Sequence, residues 1–493
     1  MRPAPRRGWC PGVARPMPTG DGLLVRVHPP AGILTAAQAR AVAEGARTGG
    51  NGLIDVTARG NLQIRGVTPE THAALNRQID AAGLGDRRGD GGPQRLTLSS
   101  PLAALDPGLL AVIAAVEAAG RSVPGLPAKT LVVVEGEACG LGAVEADLRV
   151  RRIGALSEGG WWSPVDRRGG AGSFRLPGPL HASGMAVREN QARVTPLPGG
   201  RGAGGEWGGL DLLRSSVGAG VDAERELSAP AAYALAIAGQ EEPIWAAPVA
   251  ASRIGPAVAA ILAGFAQTGA RRIRDLDAAA RADLLAAAGL AAGDPLPAPA
   301  PPPAPGLHPL TDGRVALLAE LPFGRCDAGR LLRLAAASER DGDGQVRLTP
   351  WRGVMLAAPD GPGAARLRAA AVAAGLIVVL ADPRRAVAAC PGAPACASGG
   401  TAAQADAARL AAARADLASL GLTIHVSGCP KGCAHPAPAD LTLVGQPDGR
   451  YGVVPGGQAG AEPSLRLTFE AVLERLNSAV TATDLIHAFR EPA

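Results

Sequence analysis

One block of this chain is written twice, and that repetition restricts the fold more than any other feature. Residues 21–32 (DGLLVRVHPPAG) lead into an alanine-rich helical stretch, 36–46, then an apolar strand, 53–56, and Thr57. Beyond a Pro/Ala tract, residues 312–324 (DGRVALLAELPFG) lead into a helical stretch, 328–338, and then Val346-Arg347-Leu348-Thr349. Each copy continues with an arginine-glycine pair (Arg59-Gly60, Arg352-Gly353), another apolar run and a second helical segment, 71–82 or 363–374. Strand, helix, strand, strand, helix is the order of a ferredoxin-like half, and two such halves can pair about a pseudo-two-fold axis. The tract between them, 294–306 (DPLPAPAPPPAPG), reads as a stiff extended spacer.

Each half is followed by further α/β sequence, so the expected class is α+β. The divisions are 1–92 (first half), 93–293 (an α/β domain with a helical part), 294–306 (linker), 307–382 (second half) and 383–493 (a second α/β domain). Strands are predicted at 97–99 and 130–134 around a helix at 107–119, and a helix at 401–420. Residues 226–289 read as mainly helical, and 151–215, rich in Gly, Trp and Pro, as loops and short strands.

The last domain carries the chemistry. Cys390 and Cys396 (C-x5-C) are followed about thirty residues on by Cys429 and Cys433 (C-x3-C). A 4Fe-4S cubane needs four thiolates arriving from different directions, and two loops can bring two each. The second pair follows an apolar run (Leu422, Ile424, Val426) that breaks into a Gly/Pro turn, whose backbone N–H groups can bond cluster sulfur. Structural zinc is the alternative, although it usually takes two to four residues between paired cysteines. Cys10, Cys139 and Cys326 form no close pair, and their default role is packing. Seven cysteines in a long chain without an apolar leader at its start argue against a disulfide framework and for a reducing cytoplasm.

Basic residues suggest a second functional element. Residues 57–66 (TARGNLQIRG) alternate polar and apolar, so a strand would set Arg59, Asn61, Gln63 and Arg65 on one face, where they could grip carboxylates. Arg95, Lys129, Arg347 and Arg352 lie near other strand ends. Lys129 and Lys431 are the only lysines among 49 basic residues, and Lys431 lies inside the second cysteine pair, a position that suits a compact ammonium. No phosphate-binding glycine loop stands between a strand and a helix, so electrons are expected from a partner protein. Aromatic residues make up 3% of the chain and the net charge of +5 is not concentrated in blocks, which argues against nucleic-acid binding. No uninterrupted apolar run is long enough for a membrane span.

With its duplicated halves, T-x-R-x-N-x-Q strand and C-x5-C/C-x3-C pairs, the chain resembles the siroheme-type nitrite and sulfite reductase family over nearly its whole length. The resemblance implies a pseudo-two-fold fold of two ferredoxin-like half-domains and two α/β domains. It makes Cys390, Cys396, Cys429 and Cys433 the ligands of a 4Fe-4S cluster. Arg59, Arg95 and Lys129 fall where the reductases hold a small oxyanion, but Leu131 replaces a second lysine of that motif, removing a cation that reduction of sulfite or nitrite would use. Residues 10–24 and the 348–352 motif (LTPWR) are similar to a tetrapyrrole-oxygenating branch of the family. That likeness implies a monooxygenase that hydroxylates carbon 20 of a tetrapyrrole polycarboxylate with dioxygen and closes a lactone, using the cluster and a mononuclear non-haem iron. Arg59, Asn61, Gln63, Arg65, Arg95, Lys129, Arg352 and Lys431 then become substrate-binding residues, while the catalytic residues stay unassigned. A siroheme-dependent reductase and a non-catalytic iron-sulfur carrier are the competing readings.

Overall fold

Both copies of the repeat start from the same local chemistry. In the computed structural model, which describes residues 10–136, 140–142, 144–155, 231–298, 301–477 and 481–489, the strand Gly22–Val27 turns Val25 and Val27 into the core and Arg26 to the opposite face. A tight turn follows in which Ala31 takes a φ of 52°; the second copy repeats it after Val315–Glu320 with Phe323 at 56°. Next comes a helix with a side-chain cap. The Thr35 hydroxyl accepts from the Gln38 amide and the Gln38 side chain accepts from the Thr35 N–H, opening helix Ala36–Gly49. Asp327 accepts from the Arg330 amide and opens helix Ala328–Asp341.

The turns at Ala31 and Phe323 send the short strand after each into the other copy's sheet. One sheet runs Met17–Thr19, Gly22–Val27, Leu62–Val67, Leu53–Val56, then Arg325–Asp327 from the second copy. The other runs Gly306–Pro309, Val315–Glu320, Gly353–Ala358, Gln345–Leu348, then Ile33–Thr35 from the first. The halves thus exchange a strand reciprocally and share one core, in which Val42, Ala43 and Ala46 join Leu331, Leu334 and Ala335.

Two further sheets carry the remaining sequence. Thr97–Ser99, Val132–Glu135 and Leu148–Ala155 run parallel, and Ala231–Ile237 closes against Leu148–Ala155 antiparallel. Val387–Ala389, Ile424–Ser427 and Leu441–Gly445 are parallel, extended antiparallel by Tyr451–Pro455 and Leu465–Leu467. Helices and mixed sheets together make the chain α+β. No helix among the described residues is long and apolar enough to cross a membrane.

The predicted elements shift in three places. Within 226–289 the helices start only at Ala251; Ala231–Ile237 is a strand with Tyr233, Leu235 and Ile237 on one core and Ala234 and Ala236 on another cluster. Apolar residues on both faces hide the period of two. The helix predicted over 401–420 spans Ala403–Ala413. The proline tract is not a free spacer: Arg151 donates to the Pro297 carbonyl at 2.6 Å, and Gly306 already opens a strand. The loops expected over 151–215 lie mostly outside the described residues, as does Cys139.

Candidate functional site

The two cysteine loops converge through glycine. Strand Val387–Ala389 ends at Cys390 and its parallel neighbour Ile424–Ser427 ends at Gly428, so both loops leave the same sheet end, where ligands of parallel sheets commonly sit. The Gly428 N–H donates to Cys390 Sγ at 3.1 Å, and the Gly428 carbonyl accepts from the Gly400 N–H at 2.8 Å. A Cβ on Gly428 would stand 2.9 Å from Gly392 Cα and 3.4 Å from Gly399 Cα, so no side chain fits at this crossing. Cys390 and Cys429 are buried, Cys396 is half-buried and Cys433 is exposed. Burial pushes the Cys429 thiol up, and the Cys396 and Cys390 sulfurs push the same way. Desolvation likewise raises Cys433, followed by the Cys429, Cys390 and Cys396 sulfurs.

Cations bracket this crowd of thiols. Lys431 Nζ donates to Ser398 Oγ at 2.9 Å, tying one loop to the other. Arg352 Nη2 donates to the carbonyls of Cys433 and Ala434 at 3.3 and 3.2 Å. Burial lowers the Arg352 pKa, while Asp55, Cys433 and Cys390 oppose that shift. An iron-sulfur cubane on four thiolates is anionic, so its charge would be offset here, and the Gly428 N–H already points at a ligand sulfur. No three His, Cys, Asp or Glu side chains among the described residues gather as ligands of a single metal ion. Four cysteine thiols on two loops are the donor chemistry that an iron-sulfur cluster or a zinc ion takes. No ligand set for a mononuclear iron is assembled among the described residues.

Beside these loops lies the polar face of the first sheet. Arg65 is buried on it and fully engaged: it donates to Asp21 at 2.9 Å from both Nε and Nη2, to Asp55 at 3.2 Å, and to the Ala395 carbonyl in the first cysteine loop. Arg325 from the exchanged strand also binds Asp55, at 2.5 and 3.0 Å. Further along the face, Arg26 lies across from Gln63, whose amide oxygen accepts from it at 2.6 and 3.2 Å. Burial lowers the Arg26 pKa, and Arg59 adds repulsion. His28 is held well below its ordinary range, by burial first and then by Arg26, Arg95 and Arg59. Arg59 donates to the Lys129 carbonyl at 2.8 Å. Arg26 and Arg59 thus share a desolvated region in which neither makes a carboxylate ion pair among the described residues, an arrangement suited to an anionic ligand.

The proposed substrate residues therefore separate. Arg59 and Asn61 sit in the hairpin turn and only Gln63 and Arg65 on the strand Leu62–Val67, so no four-residue strand face forms. Arg65 is committed to its ion pairs. Arg95 is buried with its guanidinium spent on the carbonyls of Thr97, Pro29, Gly60 and Arg59; burial lowers its pKa to about 10. It shapes the Arg59 turn and offers no free donor edge. The Lys129 side chain is exposed, and it is its carbonyl that meets Arg59. Arg347 is sealed against Asp343 and Gln345. The repeat is also offset by one residue at this turn. Gly60 N–H bonds Thr57 O and Arg352 N–H bonds Thr349 O, so Arg352, with φ 59°, matches Gly60, and Trp351 matches Arg59. Arg352 consequently serves the cysteine loop. Sequence reading missed Arg26, His28 and Cys10, which contacts Arg26; the alternation of Arg26 and His28 with Val25 and Val27 was the available signal.

The family profile of the nitrite/sulfite reductase ferredoxin-like half domain matches residues 15–82 and 308–369. The chain is 31% identical over 469 residues to a precorrin-3B synthase of Sinorhizobium sp, covering 93% of this chain and 85% of that protein. It is 35% identical over 162 residues to the sulfite reductase [NADPH] hemoprotein beta-component of Xanthomonas euvesicatoria pv. vesicatoria, covering 30% of this chain and 28% of that one. Among solved structures, the NirA protein of Mycobacterium tuberculosis superposes with a TM-score of 0.62 at 20% identity, over 92% of this chain and 79% of that one. That likeness establishes the reductase-type fold.

Proposed function

This chain belongs to the precorrin-3B synthase family, and from that premise we propose that it is a monooxygenase of aerobic cobalamin biosynthesis. It hydroxylates precorrin-3A at carbon 20 with dioxygen and closes a γ-lactone from the ring A acetate. The observation that carries this reading is the half-buried pair Arg26 and Arg59, beside a sheet face tied to the cysteine loop through Arg65 and Ala395. Leu131 supports it too: it is buried in an apolar cluster with Leu98 and Val133, at the position where the reductases place a second lysine.

Arg26, Arg59 and Gln63 bind and orient the substrate's carboxylates, and Arg95 keeps the Arg59 turn in place from beneath. Cys390, Cys396, Cys429 and Cys433 hold a 4Fe-4S cluster, which when bound supplies electrons. Arg352 and Lys431 fix the loops that carry those cysteines. In the overall reaction one oxygen atom of dioxygen enters at carbon 20 and the other leaves as water. This consumes two electrons and two protons, the electrons coming from NADH through a donor protein. Closing the lactone joins a carboxylate oxygen to ring carbon without further oxidation.

The deciding experiment is turnover of precorrin-3A under 18O-labelled dioxygen with a reductant, read by mass spectrometry. One labelled oxygen in the product supports the proposal. Siroheme bands in the spectrum of anaerobically purified protein, together with no labelled product, would replace it with a reductase.

A further inference from the structure

Two buried polar atoms, each one residue outside one of two paired strands, have no partners among the described residues. Val27 and Leu62 are the last registered pair of strands Gly22–Val27 and Leu62–Val67, and His28 and Asn61 are the next residue of each chain segment beyond that pair. His28 lies close enough to Arg26, Arg95 and Arg59 for their charges to act on it. Arg26 donates from Nη2 and Nε to the Gln63 amide oxygen. His28 Nδ1 and Asn61 Oδ1 are buried and have no hydrogen-bond partner among the described residues, and Asn61 is only 6% exposed. Their backbones are fixed as well. Arg95 Nη1 bridges the Pro29 and Gly60 carbonyls at 2.8 and 3.1 Å, and the Asn61 N–H donates to Thr57 Oγ1 at 3.2 Å. An unpaired buried polar group costs about 1–3 kcal/mol, so such a fixed pair calls for a reason.

The donor and acceptor inventory supplies one. Guanidinium groups only donate, so Arg26 and Arg59 call for carboxylates. An amide oxygen only accepts, and no carboxylate, nitrite or fully ionised sulfite can satisfy it. A ligand that suits both sets carries negative charge and an N–H donor on the same body. We infer that Asn61 and His28 are specificity residues that read the ring N–H groups of a metal-free tetrapyrrole polycarboxylate and discriminate against the metallated macrocycle. The inference rests on the tetrapyrrole reading proposed above. A metal in the ring replaces those protons with coordinate bonds and leaves the Asn61 oxygen unsatisfied. His28, kept uncharged by burial and by Arg26, Arg95 and Arg59, offers one lone pair and one N–H, and so adds no charge to a region already rich in it.

The test compares two ligands with equal carboxylate complements. The full chain is titrated anaerobically, without reductant, with sirohydrochlorin, the iron-free form of siroheme, and with its palladium(II) chelate. Palladium removes the ring N–H groups and, being square-planar, leaves no axial site for a histidine to bind. The wild type is expected to prefer the metal-free ligand about tenfold, the effect of one buried acceptor left unpaired. Asn61→Asp keeps an acceptor and should keep the preference, even as its charge weakens both ligands. Asn61→Leu should reduce the preference to near unity, with a wild-type denaturation midpoint and circular dichroism spectrum reporting that the variant is folded. His28→Phe, which leaves the Asn61 turn untouched, is the second variant and should lower the preference on its own. Undiminished preference in both Asn61→Leu and His28→Phe overturns the assignment and leaves the tetrapyrrole reading standing. Failure of the wild type to bind either macrocycle overturns both.

Discussion

Replacing Arg65 should injure the structure before it injures binding. Its guanidinium makes two bonds of 2.9 Å to Asp21 and one of 3.2 Å to Asp55, and caps the Ala395 carbonyl one residue before Cys396. Charge-assisted bonds of this kind are worth about 1.5–3 kcal/mol each, but they are not additive, and breaking a buried pair typically costs about 3–5 kcal/mol. Two features place Arg65→Leu near the lower end. Asp55 keeps Arg325 at 2.5 and 3.0 Å, and Asp21 keeps the Thr19 hydroxyl at 2.8 Å. The expected loss is about 3 kcal/mol, a factor of roughly 150 in the folded-to-unfolded ratio. Arg65→Lys should recover little of it, because one ammonium cannot reproduce a fork that spans two carboxylates and a carbonyl. The assay is guanidinium denaturation followed by tryptophan fluorescence, with iron and acid-labile sulfide measured on the same samples. A loss below about 1 kcal/mol, with tetrapyrrole affinity reduced instead, would refute the argument and return Arg65 to the substrate clamp.

Three other outcomes follow from the geometry. Gly428→Ala should cost most of the bound iron and sulfide, because the new methyl would press on the Gly392 backbone at 2.9 Å; wild-type metal content in a folded variant would show that the loops do not cross as described. Arg26→Ala and Arg59→Ala should each weaken tetrapyrrole binding about 10- to 100-fold, an effect that shrinks with added salt, while leaving the denaturation midpoint nearly unchanged; equal affinity by absorbance titration would remove them from the site. Stability should fall as pH drops below about 6.5. His425 is completely buried, and burial first, then His435 and Arg352, lower its pKa to about 4, so between about 4 and 6.5 the unfolded chain takes up a proton that the native state refuses. The stability present above 6.5 is therefore lost on acidification, by about 2 kcal/mol at pH 5, and His425→Leu should flatten that limb of the denaturation-midpoint profile. An unchanged slope in the variant would assign the proton uptake elsewhere.

The sequence by itself determined the duplicated order of elements, the α+β class and the two cysteine pairs. Each of these rests on local signals: hydrophobic period, capping residues such as Thr35 and Asp327, and Gly/Pro turns at fixed spacing. Reading the arginines was less successful, because a guanidinium's role depends on what faces it, and its partners lie far away in the chain. Arg65 is paired with Asp21, 44 residues before it, and Arg95 reaches Pro29 and Gly60, 66 and 35 residues before it, through contacts that no local pattern encodes. The offset that equates Arg352 with Gly60 is set by turn hydrogen bonds, and it separates Arg352 from Arg59 although their sequence contexts look alike. Only the tertiary structure decided which charges are consumed by partners and which stay available, since neutralisation depends on distance in space while sequence records only order along the chain.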